Sequence, residues 1–243
     1  MTNNIQRSVL YIQEKDRREE IEIIRSIRDG LGIPDLVARI LVSRGIASPE
    51  EAESFLYPVL DDLSDPFLMP DIQKGAERLI TAIIKREGIC LYGDYDADGI
   101  TSTALIVNYL KYFESRPEIV IPKREDGYGL NIDAVKKISA KGIKLLICVD
   151  CGSSDVDEID LANSLGLDVV VIDHHELPQK LPKAYALINP KRKDSRFPEK
   201  ELAACGVTFF FLWALRRIMH NNGLLKVKIN LKRALDIVAL GTM

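Results

Sequence analysis

A chain of 243 residues has the length of one large domain with a small companion, enough to bury a substantial apolar core. With 47% apolar and 28% charged residues, and no run near the roughly 20 apolar residues needed to cross a bilayer, the composition excludes a disordered chain and a membrane span. The formal charge of −3 argues against indiscriminate polyanion binding, yet residues 176–236 carry 13 Lys and Arg against 5 Asp and Glu, a local +8 that leaves −11 elsewhere. The first 20 residues lack the apolar core and small-residue cleavage site of an export signal, so a cytoplasmic location is expected. Cys90, Cys148, Cys151 and Cys205 lie mostly in apolar runs and read as buried thiols, not as a disulfide framework.

Residues 1–32 are charged and helical in character. Ser48-Pro49-Glu50-Glu51 forms a capping box with proline at the first helical position, and opens a short helix through Ala52 and Phe55. A Pro- and Asp-rich connector to Pro70 divides an N-terminal helical region, 1–70, from a second domain, 71–243. Ile72, Ala76, Leu79, Ile80, Ile83 and Ile84 recur at three- and four-residue spacing, as the buried face of a helix that Gly88 ends. Apolar strands are then expected at 89–92, 119–121, 144–149, 169–172 and 186–188, with helices at 101–113, 132–140 and 155–165 between them. Two last helices, 203–220 and 230–240, are separated by Asn221-Asn222-Gly223. Strands that are apolar throughout and alternate with helices specify an α/β fold: a doubly wound, mainly parallel sheet with helices on both faces.

Three of these strands run into acidic or imidazole side chains. Tyr92 leads to Gly93-Asp94-Tyr95-Asp96-Ala97-Asp98-Gly99, Val149 to Asp150-Cys151-Gly152, and Ile172 to Asp173-His174-His175. A parallel sheet puts all strand carboxyl ends on one edge, so these distant segments meet in one crevice. Carboxylates gathered there repel one another strongly, and a pair of divalent cations offsets that repulsion. Carboxylate oxygens with an imidazole, and no thiolate cage, favour Mn²⁺ or Mg²⁺ over structural zinc. Asp94-x-Asp96-x-Asp98-Gly99 also opens like a calcium loop, but Leu105 stands where that loop needs its bidentate Glu, and a strand precedes it. Taken alone, the Asp-rich turn also has a reading as a helix cap through Asp98 or Thr101, and the helix start at Gly99-Ile100-Thr101-Ser102 offers donors to a phosphate. Cys148 and Cys151 have thioredoxin spacing, but Cys148 lies inside an apolar strand with no helix start to activate a thiol. His220 reads as a solvated or capping residue.

GDYDADGITST, VDCG and VIDHH, in this order, resemble the first three motifs of the DHH phosphoesterase superfamily. IPDLVARILVSRGIASPEEAESFLYPVLDDLSDPFLMPDI, REDGYGLN and INPKRKDSRFPEKELAACGVTFFF extend the resemblance to its branch of single-strand-specific DNA exonucleases. The resemblance implies a hydrolase using two Mn²⁺ or Mg²⁺ ions, a nuclease that removes mononucleotides from the 5′ end of single-stranded DNA in recombination and repair. It implies Asp96, Asp98, Asp150 and His174 as metal ligands with Asp150 bridging, Asp94 supporting the catalytic turn, and His175 facing the scissile phosphate. Arg124 and the basic run Lys191, Arg192, Lys193 and Arg196 are candidates for the phosphate backbone. Tyr128 and Phe197 are candidates for base stacking, with loop or core packing as the alternative. Trp213 and Phe209 to Phe211 read as helix packing.

Single-stranded DNA is the expected partner, with repair proteins such as a helicase or a single-strand-binding protein. The last residues, LDIVALGTM, resemble the opening of a fourth motif that in the family continues to a further metal-binding Asp, so a fragment or a truncated product is expected. Two other readings stand beside the exonuclease: a DHH phosphoesterase acting on short oligonucleotides or cyclic dinucleotides, and a non-catalytic remnant that binds nucleic acid or a partner.

Overall fold

Alternating apolar runs and helical stretches build a five-stranded, wholly parallel sheet. The computed structural model describes residues 2–243, with side chains described from residue 17 onward except at 61 and 126. The chain divides into two compact units between Leu63 and Ser64. In the smaller unit α1 (Thr2–Leu31), α2 (Asp35–Ser43) and α3 (Pro49–Leu56) close around Ile24, Ile27, Ala38, Leu41 and Ala52. Ser48 caps α3 by accepting the Glu51 N–H at 3.2 Å. The Glu51 carboxylate reaches back to the Ala47 N–H at 2.8 Å, one residue upstream of the partner a standard capping box would use.

In the larger unit α4 (Ile72–Lys85) precedes β1 (Ile89–Gly93), α5 (Ala97–Leu110), β2 (Glu118–Val120), α6 (Ile132–Ala140) and β3 (Leu145–Val149). There follow α7 (Val156–Ser164), β4 (Asp168–Ile172), β5 (Ala186–Ile188), α8 (Ala204–Asn221) and α9 (Leu235–Thr242). The strand order is β2-β1-β3-β4-β5, and every pairing is parallel. Residues 64–70 pack with this unit: the Arg196 N–H donates to the Leu68 carbonyl, and Asp65 pairs with Arg217. Ile84, expected on the buried face of α4, is 60% exposed, because Ile72, Ala76, Leu79 and Ile80 already complete the stripe toward the sheet. Helix α4 stops at Lys85, where Arg86 takes a left-handed C-cap, two residues before Gly88.

Both faces of the sheet are covered, as continuously apolar strands require. On one face Cys90, Tyr92, Leu146, Cys148, Val169 and Val171 pack with Val135 and Ile138 of α6 and Ile159 and Ala162 of α7. The opposite face carries α4, α5 and α8. Gly75 of α4 lies so near β4 and β5 that an added Cβ would come within 2.9 Å of the Ile188 side chain. Among the described residues no helix is long and apolar enough to cross a membrane. In a sheet of this order the chain winds outward in both directions from β1 and β3, and the crevice at the carboxyl ends of those strands is where such folds bind ligands.

Candidate metal centre

Strand register delivers the site residues together. Gly93 pairs with Val149, Val149 with Ile172, and Ile172 with Ile188. The residues that follow these four strand ends, Asp94, Asp150, Asp173 and Asn189, therefore form a polar row along the carboxyl edge, and all four are buried. Backbone pairing continues one step into the row, with Asp150 N–H donating to the Ile172 carbonyl and Asp173 N–H to the Ile188 carbonyl, each at 3.0 Å.

After β1 the chain turns directly into α5, where the Asp96 carboxylate caps the helix by accepting the Gly99 N–H at 3.0 Å. The turn needs glycine at position 99, since a Cβ there would stand 2.6 Å from the Asp94 backbone. After β3, Asp150 takes a left-handed conformation (φ +61°), which costs a non-glycine residue roughly 1 kcal/mol. Such local strain, held by surrounding structure, aims its carboxylate toward the loop of β1. After β4, the Asp173 carboxylate accepts from the backbone N–H of His174 at 2.7 Å, of Ser153 at 3.1 Å and of His175 at 3.3 Å, and lies 2.7 Å from His175 Nδ1. Asn189 completes the scaffold by donating to the Ser153 hydroxyl and to the His175 carbonyl.

Two groups of possible ligand atoms result, Asp94 with Asp96 and Asp150, and Asp150 with His174 and His175, each within 4.8 Å, and Asp150 belongs to both. His174 Nε2 lies 3.3 Å from Asp150 Oδ1, an ion-pair distance without hydrogen-bond geometry. Asp94 Oδ1 and Asp150 Oδ1 are both shielded from water and accept no hydrogen bond. Buried carboxylate oxygens are costly when left so, and a divalent cation suits them better than a neutral donor, because it also neutralises the neighbouring carboxylate. Oxygen donors with imidazole nitrogen match Mn²⁺ or Mg²⁺.

Protonation follows the same geometry. Burial, reinforced by Asp98 and Asp96 and opposed by His174, pushes the Asp150 carboxyl up to about 6. Burial likewise raises Asp94. Burial also works to raise Asp173, but the hydrogen bonds from His175, Ser153 and His174 prevail and hold it at about 2. His174 is raised by the Asp150 carboxylate and His175 by the Asp173 carboxylate. In the metal-free state the site thus carries its charge as carboxylate–imidazole pairs.

Residues 88–242 match the model of the DHH family, N-terminal domain. The chain belongs to the DHH family. It is 38% identical over 228 residues to the single-stranded-DNA-specific exonuclease RecJ of Bacillus subtilis (strain 168), covering 93% of this chain and 28% of that protein. To RecJ of Escherichia coli (strain K12) it is 37% identical over 233 residues, covering 93% of this chain and 39% of the relative. The chain therefore spans less than half the length of either. Its fold matches RecJ from Thermus thermophilus, solved with Mn²⁺, at a TM-score of 0.70 and 25% identity, covering 91% of this chain and 30% of that one. An exonuclease RecJ bound to manganese matches at a TM-score of 0.62 and 28% identity, covering 72% and 43%. The α/β DHH fold expected from the motifs is the one found.

Within the DHH fold the expected site residues divide. Asp94, Asp96, Asp150, His174 and His175 converge as described. Asp98 stands at their edge, with its Oδ2 3.6 Å from His174 Nε2, but its two oxygens also accept the N–H groups of Ala204 and Cys205, each at 2.7 Å. It thus caps α8, whose own N-cap residue, Ala203, offers no side-chain acceptor. Asp94, expected to support the turn, also brings a carboxylate oxygen within 4.8 Å of those of Asp96 and Asp150.

Arg124 is exposed and lies over the Tyr95 ring, 5.4 Å from its centroid, beside the loop of β1. Of the basic run, Lys191 is paired with Glu176 and Glu201, and Arg192 with Asp71 and Asp194, so these two cations are engaged within the fold; Lys193 and Arg196 are exposed. Phe197 is fully buried edge-on against Phe210, which removes it as a stacking residue. Tyr128 is half exposed, and its hydroxyl points into the site, where it donates to the Asp150 carbonyl at 2.9 Å and approaches the His175 ring nitrogens at 3.0 and 3.1 Å.

Sequence reasoning counted Asp173 among the converging carboxylates without a role of its own, and gave none to Ser153 or Asn189. The signal available for Asp173 and Asn189 was their place as the first polar residue after an apolar strand, which they share with Asp94 and Asp150.

Proposed function

We propose that this DHH domain binds divalent cations, Mn²⁺ or Mg²⁺, and hydrolyses phosphodiester bonds of single-stranded DNA from the 5′ end, releasing mononucleotides. One observation carries the reading: Asp150, buried and strained, belongs to both ligand groups and holds out an oxygen that accepts no hydrogen bond and has only the neighbouring imidazoles at ion-pair distance. Two RecJ exonucleases at 37–38% identity support the choice of substrate. Asp94, Asp96, Asp150 and His174 would hold the ions, with Asp98 of the first turn of α5 beside His174 and capping α8. When bound, such ions supply Lewis acidity toward phosphoryl oxygens and make water a nucleophile at neutral pH.

The remaining work belongs to side chains of the chain. His175, fixed by Asp173 at Nδ1, turns its remaining Nε2–H, which Tyr128 holds in the absence of substrate, to a phosphate oxygen as charge builds there. Arg124, beside the loop of β1, meets the phosphate backbone, and its partner Tyr95 holds the guanidinium in place. The same reading takes residues 71–243, with 64–70 packed on them, as the DHH domain and the helices before Ser64 as its companion. It has the chain act in the cytoplasm, in recombination and repair beside a helicase or a single-strand-binding protein, on the strength of the family resemblance.

The test is to titrate Mn²⁺ while following release from a 5′-labelled single strand, a duplex of the same sequence and a dinucleotide. Mononucleotides from the single strand, with the duplex resistant and with Asp150→Asn inactive, are the expected result. Preferential hydrolysis of the dinucleotide would instead assign the site to small phosphodiesters.

A further inference from the structure

The segment between β2 and α6 is held from the sheet by three hydrogen bonds to three successive residues. The Tyr92 hydroxyl donates to the Gly129 carbonyl at 3.0 Å, the Asp155 carboxylate accepts the Leu130 N–H at 2.7 Å, and the Tyr128 hydroxyl donates to the Asp150 carbonyl at 2.9 Å. Gly127 and Gly129 both take left-handed φ values of +86°, and a Cβ on Gly129 would come within 2.8 Å of Asp155 Oδ1. The segment is therefore shaped to bring Tyr128 down onto the edge of the sheet and clamp it there. A phenol has a single proton. With that proton given to Asp150, its oxygen can only accept from the His175 ring, which it meets edge-on, with ring centroids 5.4 Å apart.

We propose that Tyr128 is a positioning residue: its hydroxyl ties the strained turn carrying Asp150 to the imidazole of His175, so that both hold one mutual orientation. Asp173 holds the His175 ring at Nδ1, and the Tyr128 hydroxyl abuts it between the two nitrogens, 3.1 Å from Nδ1 and 3.0 Å from Nε2. Without the phenol, the ring keeps a single anchor and the Asp150 carbonyl loses its side-chain donor. Asp155 acts one step further back, by setting the height of the segment through Leu130. This role differs from base stacking, which would use the face of the Tyr128 ring and make no demand on the hydroxyl. It rests on the phosphodiesterase reading for its kinetic consequence, but not for its structural one.

The test compares Tyr128→Phe and Tyr128→Leu with the unaltered chain in two ways. At one fixed pH and without metal, long-range ¹H–¹⁵N spectra resolve the side chains of the three histidines, with exposed His220 as internal control. Tyr128→Phe is expected to shift and broaden the His175 signals and to leave His220 unmoved, and His175 signals identical to those of the unaltered chain would overturn the proposal. With Mn²⁺, on single-stranded DNA and on a dinucleotide, Tyr128→Phe is expected to lower kcat about tenfold with KM unchanged, the effect of one lost hydrogen bond near the reacting atoms. Normal kcat in Tyr128→Phe with a raised KM for DNA in Tyr128→Leu would reassign the residue to stacking. The spectra need neither metal nor substrate, so they decide the proposal even where single-stranded DNA proves to be the wrong substrate.

Discussion

Asp150→Asn is expected to stabilise the metal-free chain, although it removes the residue on which the site depends. The side chain is 2% exposed, and its carboxyl is raised from an ordinary 3.8 to about 6. A raised folded value means that the folded state holds the proton more tightly than the unfolded one. Stability from this group is therefore greatest below about pH 4 and falls as pH rises through 6. The loss is complete near pH 8 and amounts to about 3 kcal/mol at roughly 1.36 kcal/mol per unit; at pH 5 it is about half as large. Asparagine has the same shape, tolerates a left-handed backbone and does not ionise, so it avoids this cost without adding strain. Thermal melts of the two chains should then differ by about 6–12 °C at pH 8, with the variant higher, and by about half of that at pH 5. Saturating Mn²⁺ should raise the unaltered chain by a few kcal/mol, reversing the order, while the variant responds weakly. A variant that melts lower than the parent at pH 8 without metal would refute the reasoning, since it would mean that the carboxylate stabilises the fold on its own.

Asp98→Ala removes the acceptor for the first two N–H groups of α8, and is expected to cost about 1–2 kcal/mol. Hydrogen exchange at the Ala204 and Cys205 amides should accelerate while the strands stay protected, whereas unchanged exchange there would remove Asp98 as the cap of α8. Phe197→Leu is expected to lower stability by about 1–2 kcal/mol through looser packing against Phe210, and to leave KM for single-stranded DNA unchanged. A raised KM with full stability would return Phe197 to the binding surface.

Legibility from sequence followed the range of the interactions. Strands such as 145–149 and 169–172 announced themselves because a strand buried on both faces must be apolar throughout, and the acidic and imidazole residues stood out because they interrupt such runs. Parallel pairing then implied their convergence without any coordinates. What stayed illegible depends on pairings between distant segments. Lys191 and Arg192 read as a free basic run because Asp71, which answers one, and Glu201, which answers the other, are far away in sequence or across a turn. Phe197 looked available in a polar loop, yet Phe210, on the next helix, covers it. Tyr128 offered a ring to the sequence and a hydroxyl to the structure, and only the position of Asp150 decides between them.

Asp98 carries a second task that a local reading of the Asp-rich turn does not show. Within the motif GDYDADG the three aspartates alternate evenly, and nothing local distinguishes the one that caps α5 from the one that caps α8. The difference arises because α8 opens as Ala203-Ala204-Cys205 from its N-cap, with no side chain able to satisfy its own first amides, and because it packs beside α5 with those amides directed at the first turn of α5. A helix start lacking Ser, Thr, Asp or Asn in a buried place requires an acceptor from elsewhere. Asp98 meets that requirement while staying within 3.6 Å of His174, so the N-terminus of α8 is joined through one carboxylate to the site at the sheet edge. The packing of α5 on α8 thus helps to set where the Asp98 carboxylate stands beside His174.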